Sequence, residues 1–285
     1  MTGARHDTGA GMASAWPWNA RMQQYDVNLH FYHRPGVERF FRHDELMRVE
    51  AIALLRHQPA FAGKDVLDIG VGTGRTSVYL APLAHRYQAT DYSPVMVRHM
   101  HQAMPEIQVL QADMCHMPEL ADASFDFVLA SNCVFDASGH EDRIATLCEI
   151  HRVLRPSGLL MFSTHNRAWM HVQRGPRLRH SRNPVTQALL GLHWMRSIVH
   201  HLRLRRMQTA TDEYAILNDN AHDYALMHYN IEPGRQRRQL AAQGFDTLEV
   251  LDENGRTRPA GDRATDCAWL LYVARRQDKP ASTMH

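Results

Sequence analysis

A glycine-rich segment behind a short apolar run constrains this chain more than any other feature. Residues 66–76 read VLDIGVGTGRT, so glycines occupy three alternate positions. Because glycine lacks a Cβ, such a loop lets the backbone pass close to a bound ligand. A dinucleotide-binding loop has the spacing G-x-G-x-x-G, whereas this loop has G-x-G-x-G behind Asp68. The spacing therefore argues against a pyrophosphate as the ligand.

The chain around this loop alternates between strand-like and helix-like patterns. Short apolar runs predict strands over residues 65–69, 87–90, 107–111, 125–131 and 159–163. Helical spacing and start signals predict helices over residues 44–57, 75–84, 93–104 and 142–154. Such alternation predicts a parallel sheet with helices on both faces. The continuous apolar runs fit strands that are buried on both sides.

Residues 165–231 interrupt this alternation and show no clear strand. They contain one amphipathic helical pattern, with apolar residues at three- and four-residue intervals: Val185, Leu189, Leu192, Met195, Val199 and Leu202. Because this excursion is too long for a strand-to-helix connection, we interpret it as a helical cap inserted over the active-site edge. A helix over residues 233–243 and strands over 245–251 and 268–274 then complete the core.

Charge is distributed unevenly, although the net charge is only +2. No Asp or Glu occurs between residues 150 and 211. The same interval contains these arginines: Arg152, Arg155, Arg167, Arg174, Arg177, Arg179, Arg182, Arg196, Arg203, Arg205 and Arg206. Such a field can attract an anionic substrate, RNA or a membrane surface. A solvated basic face with acidic partners from elsewhere in the fold is the alternative.

Composition excludes several classes. The chain has no run of about 18 apolar residues, so we expect no membrane span. Its first residues lack the apolar region of a secretory signal. The four cysteines lack C-x-x-C or zinc-like spacing. His30 and His33 could share a helical face but have no third ligand nearby. We therefore expect a cytoplasmic protein with reduced thiols and no metal site.

Five motifs, taken in order, resemble those of class I S-adenosylmethionine-dependent methyltransferases. They are the loop at Asp68–Gly74, Asp91 after the next strand, Ala112-Asp113-Met114 after the third, the strand at 125–130 and the segment at 149–159. The resemblance covers residues 60–165 and the general layout of 233–275. It implies an α/β fold, a Rossmann-like doubly wound sheet of seven strands. Most strands would be parallel, with the last one antiparallel.

The resemblance also implies roles for the loop residues and the acids. Gly70, Gly72 and Gly74 would let the backbone approach the methionine and ribose portions of S-adenosylmethionine. Asp91 would accept both ribose hydroxyls, because a carboxylate can take two hydrogen bonds. Asp68 would orient the loop or reach the ammonium group.

The remaining positions implied by the resemblance surround the base and the methionine portion. Asp113 would accept a hydrogen bond from the adenine amino group. Tyr92 and Met114 would enclose the adenine faces with aromatic and apolar surface. Asn132 would contact the methionine portion from the end of the fourth strand.

The same interpretation of the sequence divides the chain into five parts. We expect a tail and lid at residues 1–43, a cofactor-binding core at 44–164, the inserted cap at 165–232, a completion of the core at 233–276 and a tail at 277–285. The lid would carry the aromatic residues of the N-terminal segment: Trp16, Trp18, Tyr25, Phe31 and Tyr32. These rings either pack as ordinary core or surround the cationic sulfonium.

Methyl transfer from a sulfonium has a good leaving group, so the enzyme mainly supplies positioning and desolvation. A general base is needed when the acceptor is a protonated amine or a neutral hydroxyl. The candidate catalytic residues are Tyr25, His165 and His228. His165 follows the fifth strand, at the edge where doubly wound sheets bind ligands.

We expect methyl transfer to oxygen or nitrogen of a small molecule, including an anionic one. Two alternatives stay open. One is a different use of the sulfonium, such as intramolecular cyclisation of the aminobutyrate portion. The other is an RNA-directed methyltransferase or RNA-binding protein that uses the Arg-rich interval, although that interval carries no nucleic-acid motif. The sequence does not fix the oligomeric state or the acceptor.

Overall fold

The structure is a computed structural model that describes residues 22–40, 45–171, 175–219 and 221–278. The α-helices of these residues are α1 (Met22–Tyr32), α2 (Arg48–Arg56), α3 (Ser77–Leu80), α4 (Pro94–Ala103), α5 (His140–Val153), α6 (Pro184–Leu204) and α7 (Pro233–Ala242). The strands are β1 (Asp65–Ile69), β2 (Arg86–Asp91), β3 (Gln108–Gln111), β4 (Phe125–Ala130), β5 (Leu154–Asn166), β6 (Thr209–Ala210), β7 (Tyr214–Leu217), β8 (His228–Ile231), β9 (Phe245–Leu251) and β10 (Trp269–Arg276).

Seven of these strands form the core sheet in the order β3-β2-β1-β4-β5-β10-β9. Strands β1 to β5 pair in parallel, and β10 lies antiparallel between β5 and β9. The predicted Rossmann-like sheet with an antiparallel last strand is thereby confirmed.

Burial explains why the central strands read as continuous apolar runs. In β1, Val66 packs into a cluster with Phe61 on one side of the sheet. Leu67 and Ile69 pack on the other side, in a cluster that includes Leu147 of α5. Alternate side chains of a strand point to opposite faces, so a strand covered on both faces needs apolar residues at every position.

The inserted region contains three strands as well as a helix. The expectation that it has no strand is therefore wrong. Its strands β6, β7 and β8 form an antiparallel extension, and β8 pairs in parallel with the last two residues of β5. The sheet of the described residues therefore has ten strands. β8 reads His-Tyr-Asn-Ile and is buried throughout. Its polar side chains are buried together with polar partners. The pattern of apolar residues in the sequence therefore does not predict β8 as a strand.

Other boundaries differ less. The amphipathic helix predicted within the insert is confirmed as α6, and the Asn183 side chain caps its start by accepting from the N–H groups of Val185 and Thr186. α3 is shorter than predicted, and β5 begins at Leu154 rather than at residue 159. Trp16 and Trp18 lie outside the described residues. No helix in the described part of the chain has the length and apolar character needed to cross a bilayer.

A buried ion pair between Asp136 and Arg143 joins several elements beneath the sheet edge. Both side chains are fully buried, and Arg143 Nη1 donates to Asp136 Oδ1 at 2.7 Å. The same carboxylate oxygen accepts from Thr164 Oγ1 of β5 at 2.6 Å. Arg143 also donates to Gln236 at 2.7 Å and to Gln239 at 3.1 Å. The pair therefore connects α5, β5 and α7 through hydrogen bonds that compensate its desolvation.

The substitution Arg143→Met should lower the free energy of unfolding by about 3–5 kcal/mol, because it leaves the Asp136 carboxylate buried without its guanidinium. The control is Arg263→Met, which breaks an exposed pair with Glu232 and should cost less than about 1 kcal/mol. Urea unfolding followed by circular dichroism measures both. Equal small losses for the two variants would show that the buried pair is not a structural hub.

Candidate active site

A cavity opens at the carboxyl ends of β1 to β4, beside α1. Most residues that the sequence predicted around the cofactor line it: Asp68, Gly70, Gly72, Asp91, Tyr92, Asp113, Met114 and Asn132. These residues come from four separate loops, each of which directly follows or ends a parallel strand. The topology of the sheet therefore brings together positions that are up to about 60 residues apart in sequence.

The three glycines of the first loop differ in what they permit. Gly70 has a φ of +68°, and a Cβ there would lie 2.7 Å from the Val134 side chain. Gly72 has a φ of +58°, and the nearest atom to a Cβ would be the Gly70 carbonyl at 4.0 Å. Gly74 does not line the cavity: a Cβ there would lie 2.6 Å from Met100 Sδ. Gly74 thus serves the packing of α4, and the expected approach to a ligand is left to the other two.

Asp91 ends β2 and holds the glycine loop by its side chain. Its carboxylate accepts from the Gly72 N–H at 2.9 Å and from the Ser93 N–H at 2.8 Å. Burial raises the pKa of Asp91 to about 6, although both backbone donors act in the opposite direction. The carboxylate is therefore fixed in orientation at the cavity wall.

Asp68, at the end of β1, is buried more deeply than Asp91. Its Oδ2 accepts from Thr76 Oγ1 at 2.5 Å and from the Tyr87 hydroxyl at 2.6 Å. Burial raises the pKa of Asp68 to about 6, against the effect of these two donors. The contacts tie β1 to β2 and to the start of α3. They favour the loop-orienting role among the two that the resemblance implied.

A second polar network in the cavity wall was missed by the sequence reasoning. Arg75 Nη2 donates to Glu50 Oε1 at 2.8 Å and to Ser131 Oγ at 2.7 Å. Glu50 of α2 is buried and also accepts from the Met47 N–H at 2.8 Å. Arg75 and Ser131 both line the cavity. No sequence pattern connects Glu50 with Arg75, because the pairing depends on how α2 packs against the sheet.

Helix α1 forms the remaining wall of the cavity through Asn28, Leu29 and Tyr32. Asn28 Nδ2 donates to the Ala137 and Met227 carbonyls, each at 2.8 Å. The Tyr32 ring lies edge-on to the Tyr92 ring, with centroids 6.0 Å apart. This position agrees with a lid made by the N-terminal aromatic segment. The side chain of Tyr25, also on α1, lies outside the described part of the structure.

Next to the cavity, the end of β5 and the start of β8 bring two predicted catalytic residues together. The His165 and His228 rings are stacked with centroids 4.8 Å apart. His165 Nδ1 is 2.7 Å from Asp136 Oδ2, and His228 Nδ1 is 2.9 Å from Asp219 Oδ1. We call these four residues the histidine cluster. Its histidines are not among the described residues that line the cavity, so a catalytic or binding role for His165 and His228 stays a prediction.

The charge state of His165 follows from its neighbours. Burial by itself lowers the pKa of His165, but Cys133 and Asp136 raise it well above its usual range. Burial raises the pKa of the Cys133 thiol, so that group stays neutral near pH 7. The Asp136 carboxylate is then the cause that continues to raise the pKa of His165. It favours the protonated ring, which is a hydrogen-bond donor, and therefore a binding role rather than that of a base.

Two sets of side chains in the described residues have donor atoms close enough to hold a metal ion. One set is Cys133, Asp136 and His165, and the other is His165, Asp219 and His228, with ligand atoms within 4.8 Å of one another. His165 belongs to both sets and would have to lose a proton before it could bind a metal. Two of the contacts within these sets are the hydrogen bonds His165–Asp136 and His228–Asp219 given above. The expected absence of a metal stays a prediction.

A left-handed turn packs beside the cluster. His222, Asp223 and Tyr224 have φ values of 50°, 58° and 60°. For residues with a Cβ, each such conformation costs about 1–2 kcal/mol. The His222 ring lies 5.2 Å from the ring of Phe31, on α1. Sequence reasoning missed His222 and Asp219, because neither consecutive left-handed residues nor a distant carboxylate partner leaves a local signal.

Comparison with known proteins gives matches in the same part of the chain. Residues 67–162 match the family described as a methyltransferase domain. A probable S-adenosylmethionine-dependent methyltransferase of Mycobacterium tuberculosis is 36% identical over 121 residues, which are 42% of each chain. A malonyl-[acyl-carrier protein] O-methyltransferase of Enterobacter lignolyticus is 32% identical over 161 residues, 53% of this chain and 62% of the relative. The chain thus spans about half the length of these relatives.

Solved structures share the fold over most of the chain. One is a Burkholderia thailandensis 1,6-didemethyltoxoflavin-N1-methyltransferase with 1,6-didemethyltoxoflavin and S-adenosylhomocysteine bound. It has a TM-score of 0.57 at 16% identity and covers 93% of both chains. Another is a Mesorhizobium loti S-adenosylmethionine-dependent methyltransferase with a TM-score of 0.54 at 20% identity, covering 80% of this chain and 98% of the other.

At these identities the solved structures show the fold, and the sequence matches show the kind of domain. The family match covers the part of the chain that carries the glycine loop, Asp91 and Asp113. Residues 67–162 are therefore a methyltransferase domain, similar in sequence to S-adenosylmethionine-dependent methyltransferases and in fold to solved structures of such enzymes, and S-adenosylmethionine is the cofactor that goes with this domain.

Proposed function

We propose that this protein transfers the methyl group of S-adenosylmethionine to an oxygen or nitrogen of a small-molecule acceptor. The observation that carries the proposal is the cavity at the carboxyl edge of β1 to β4. There, the open side of Gly72 and the buried Asp91 carboxylate lie on one wall. An adenosine needs such a combination, because its ribose offers hydroxyl donors and its base offers a flat apolar face.

Each cavity residue has a role in this proposal. Asp91, held by the loop N–H groups, accepts from the ribose hydroxyls. Asp113 accepts from the adenine amino group, and Met114 and Tyr92 pack on the adenine ring. Asn132, which has a φ of 54° after β4, contacts the methionine portion. When bound, S-adenosylmethionine supplies the electrophilic methyl group, and the chain positions it and excludes water.

The histidine cluster is the proposed acceptor end. Burial raises the pKa of Tyr32, and the charges of Asp91, Asp219 and Asp136 act in the same direction. The Tyr32 side chain therefore lies near carboxylates of both ends. The His165 imidazolium would hold a polar or anionic group of the acceptor. His228, whose Nδ1 is engaged by Asp219, has Nε2 as the atom that can accept a proton from the nucleophile. A role for Tyr25 stays a prediction.

The loop role of Gly72 can be tested with a matched control. Gly72→Ala and Gly63→Ala both place a Cβ at a left-handed residue with no close neighbour, so both should cost about 1–2 kcal/mol of stability. Calorimetry with S-adenosylhomocysteine should show a loss of affinity of about tenfold or more for Gly72→Ala alone. Equal affinities for the two variants would place the cofactor elsewhere.

Cofactor affinity should depend on pH through Asp91. The pKa of Asp91 in the folded protein without cofactor is raised from 3.8 to about 6, so folding favours the protonated carboxyl group. The stabilisation that this protonation gives is lost as the pH rises through about 6. The carboxylate is the form that accepts two ribose hydroxyls. Calorimetric affinity for S-adenosylhomocysteine should therefore rise between pH 5 and 7 (about one unit either side of that pKa). The Asp91→Asn variant should bind weakly and without this rise; a flat profile in the unmodified protein contradicts the assignment.

The acceptor role of His228 predicts a selective loss of turnover. Once an acceptor has been found by screening polar and anionic small molecules, His228→Gln should lower kcat by about 10²–10⁴-fold while S-adenosylhomocysteine affinity stays unchanged. The exposed His193 of α6 provides the control His193→Gln. Unchanged kcat in His228→Gln would remove this residue from the chemistry.

The products and the effect of a chelator separate the remaining possibilities. Transfer to an acceptor releases S-adenosylhomocysteine, whereas cyclisation of the cofactor releases methylthioadenosine without any acceptor. Activity should survive dialysis against EDTA if the histidine cluster works through protons. Loss of activity on dialysis with recovery on adding Zn²⁺ or Mn²⁺ would instead assign the cluster a metal.

A further inference from the structure

Helix α6 presents a row of apolar side chains to solvent. Val185, Leu189, Leu192, Met195, Val199 and Leu202 recur at three- and four-residue spacing and are 50–69% exposed. We call this row the outer face of α6. A single exposed leucine needs no explanation, but a contiguous apolar row along 21 residues of helix marks an interaction surface.

The opposite side fixes how the helix is oriented. Ser197 is buried, and His200 Nδ1 lies 3.0 Å from the Asp223 carbonyl. His201 Nδ1 lies 2.9 Å from Asn218 Oδ1, and Trp194 Nε1 donates to the Pro176 carbonyl at 3.3 Å. The two histidine contacts hold α6 on the segment that carries Asp219, and the Trp194 contact holds it on the segment that precedes the helix. The apolar row therefore faces outward because of the fold, and not because the helix is free to roll.

The charged side chains of α6 and of the segments that flank it in sequence are all arginines. Arg196 lies four residues after Leu192 and Arg203 four residues after Val199, so both share this face. Further exposed arginines flank the helix: Arg177, Arg179, Arg182, Arg205 and Arg206. Within the described residues, none of these arginines forms an ion pair with an acidic side chain. The interval from residue 150 to 211 contains no acid of its own.

The combination of an apolar row with unpaired arginines distinguishes between the possible binding partners of the outer face. In a symmetric pair of α6 helices, Arg196 and Arg203 would meet arginines of the second copy, with no acid on the helix to neutralise them. RNA would neutralise the arginines but would leave the aliphatic row uncovered, since recognition of single strands relies on stacking on aromatic rings. An anionic lipid surface satisfies both features, because its head groups pair with arginine and its acyl region covers the apolar side chains.

We propose that the outer face of α6 docks on a membrane surface that contains anionic lipid, with the helix lying in the plane of the interface. The helix is about 30 Å long, and its basic residues keep it from inserting across the bilayer. This inference stands apart from the proposed methyl transfer. If both hold, docking brings the histidine cluster, which is attached to the inner side of α6, close to the membrane surface.

The test is flotation of the full-length protein with phosphatidylcholine vesicles that do or do not contain phosphatidylglycerol. We expect at least about tenfold tighter binding to the anionic vesicles, weakening as salt screens the charges. The double variant Leu189→Ser/Val199→Ser should lose at least about tenfold of that affinity. The control Leu55→Ser changes an exposed leucine of α2 that is 76% accessible and should bind like the unmodified protein.

Each other outcome overturns the inference. Absence of binding to either vesicle, or equal binding by the double variant and the control, rules out docking through the outer face. A dimer seen by light scattering that Leu189→Ser/Val199→Ser dissociates would assign the face to a second copy. Salt-sensitive retention on RNA that is lost in Arg196→Gln/Arg203→Gln, without vesicle binding, would assign it to nucleic acid. Melting temperatures of all variants confirm that each is folded.

Discussion

The arrangement of the active-site edge depends on the buried pair of Asp136 and Arg143. Two fully buried charges are costly to desolvate, and here nearly every oxygen and N–H of the pair is engaged by β5 or α7. The same carboxylate accepts from the His165 N–H at 2.7 Å and contacts its ring. One interaction thus anchors the sheet edge and favours the protonated form of a histidine beside the cavity.

The proposed cofactor half and the proposed acceptor half are built by different means. The cofactor half uses short loops at the ends of parallel strands, where Asp91 holds the backbone of Gly72 and Asp68 holds Thr76. The acceptor half uses a strand, β8, that the inserted region adds to the sheet. Because the two halves come from separate parts of the chain, the proposed acceptor site and the outer face of α6 can differ without disturbing the loops that line the proposed cofactor cavity.

Sequence reasoning succeeded where the determinants are local. The glycine loop, Asp91 and the Asp113-Met114 pair each follow an apolar strand within a few residues, so their common edge could be predicted.

Sequence reasoning failed where the interacting residues are distant in sequence. Glu50 meets Arg75 across 25 residues, and Asp136 meets His165 across 29. β8 was missed because its buried positions are half polar. Spacing also does not distinguish a glycine that faces a ligand from one that packs against a helix, as Gly74 does against Met100 of α4.

The most direct test of this account is a crystal structure of the protein with S-adenosylhomocysteine. The account predicts that the ribose hydroxyls lie within hydrogen-bond distance of Asp91, the adenine between Tyr92 and Met114, and the sulfur on the side of the cavity that faces His165 and His228. A cofactor bound outside this cavity, or a sulfur directed away from the histidine cluster, would contradict it.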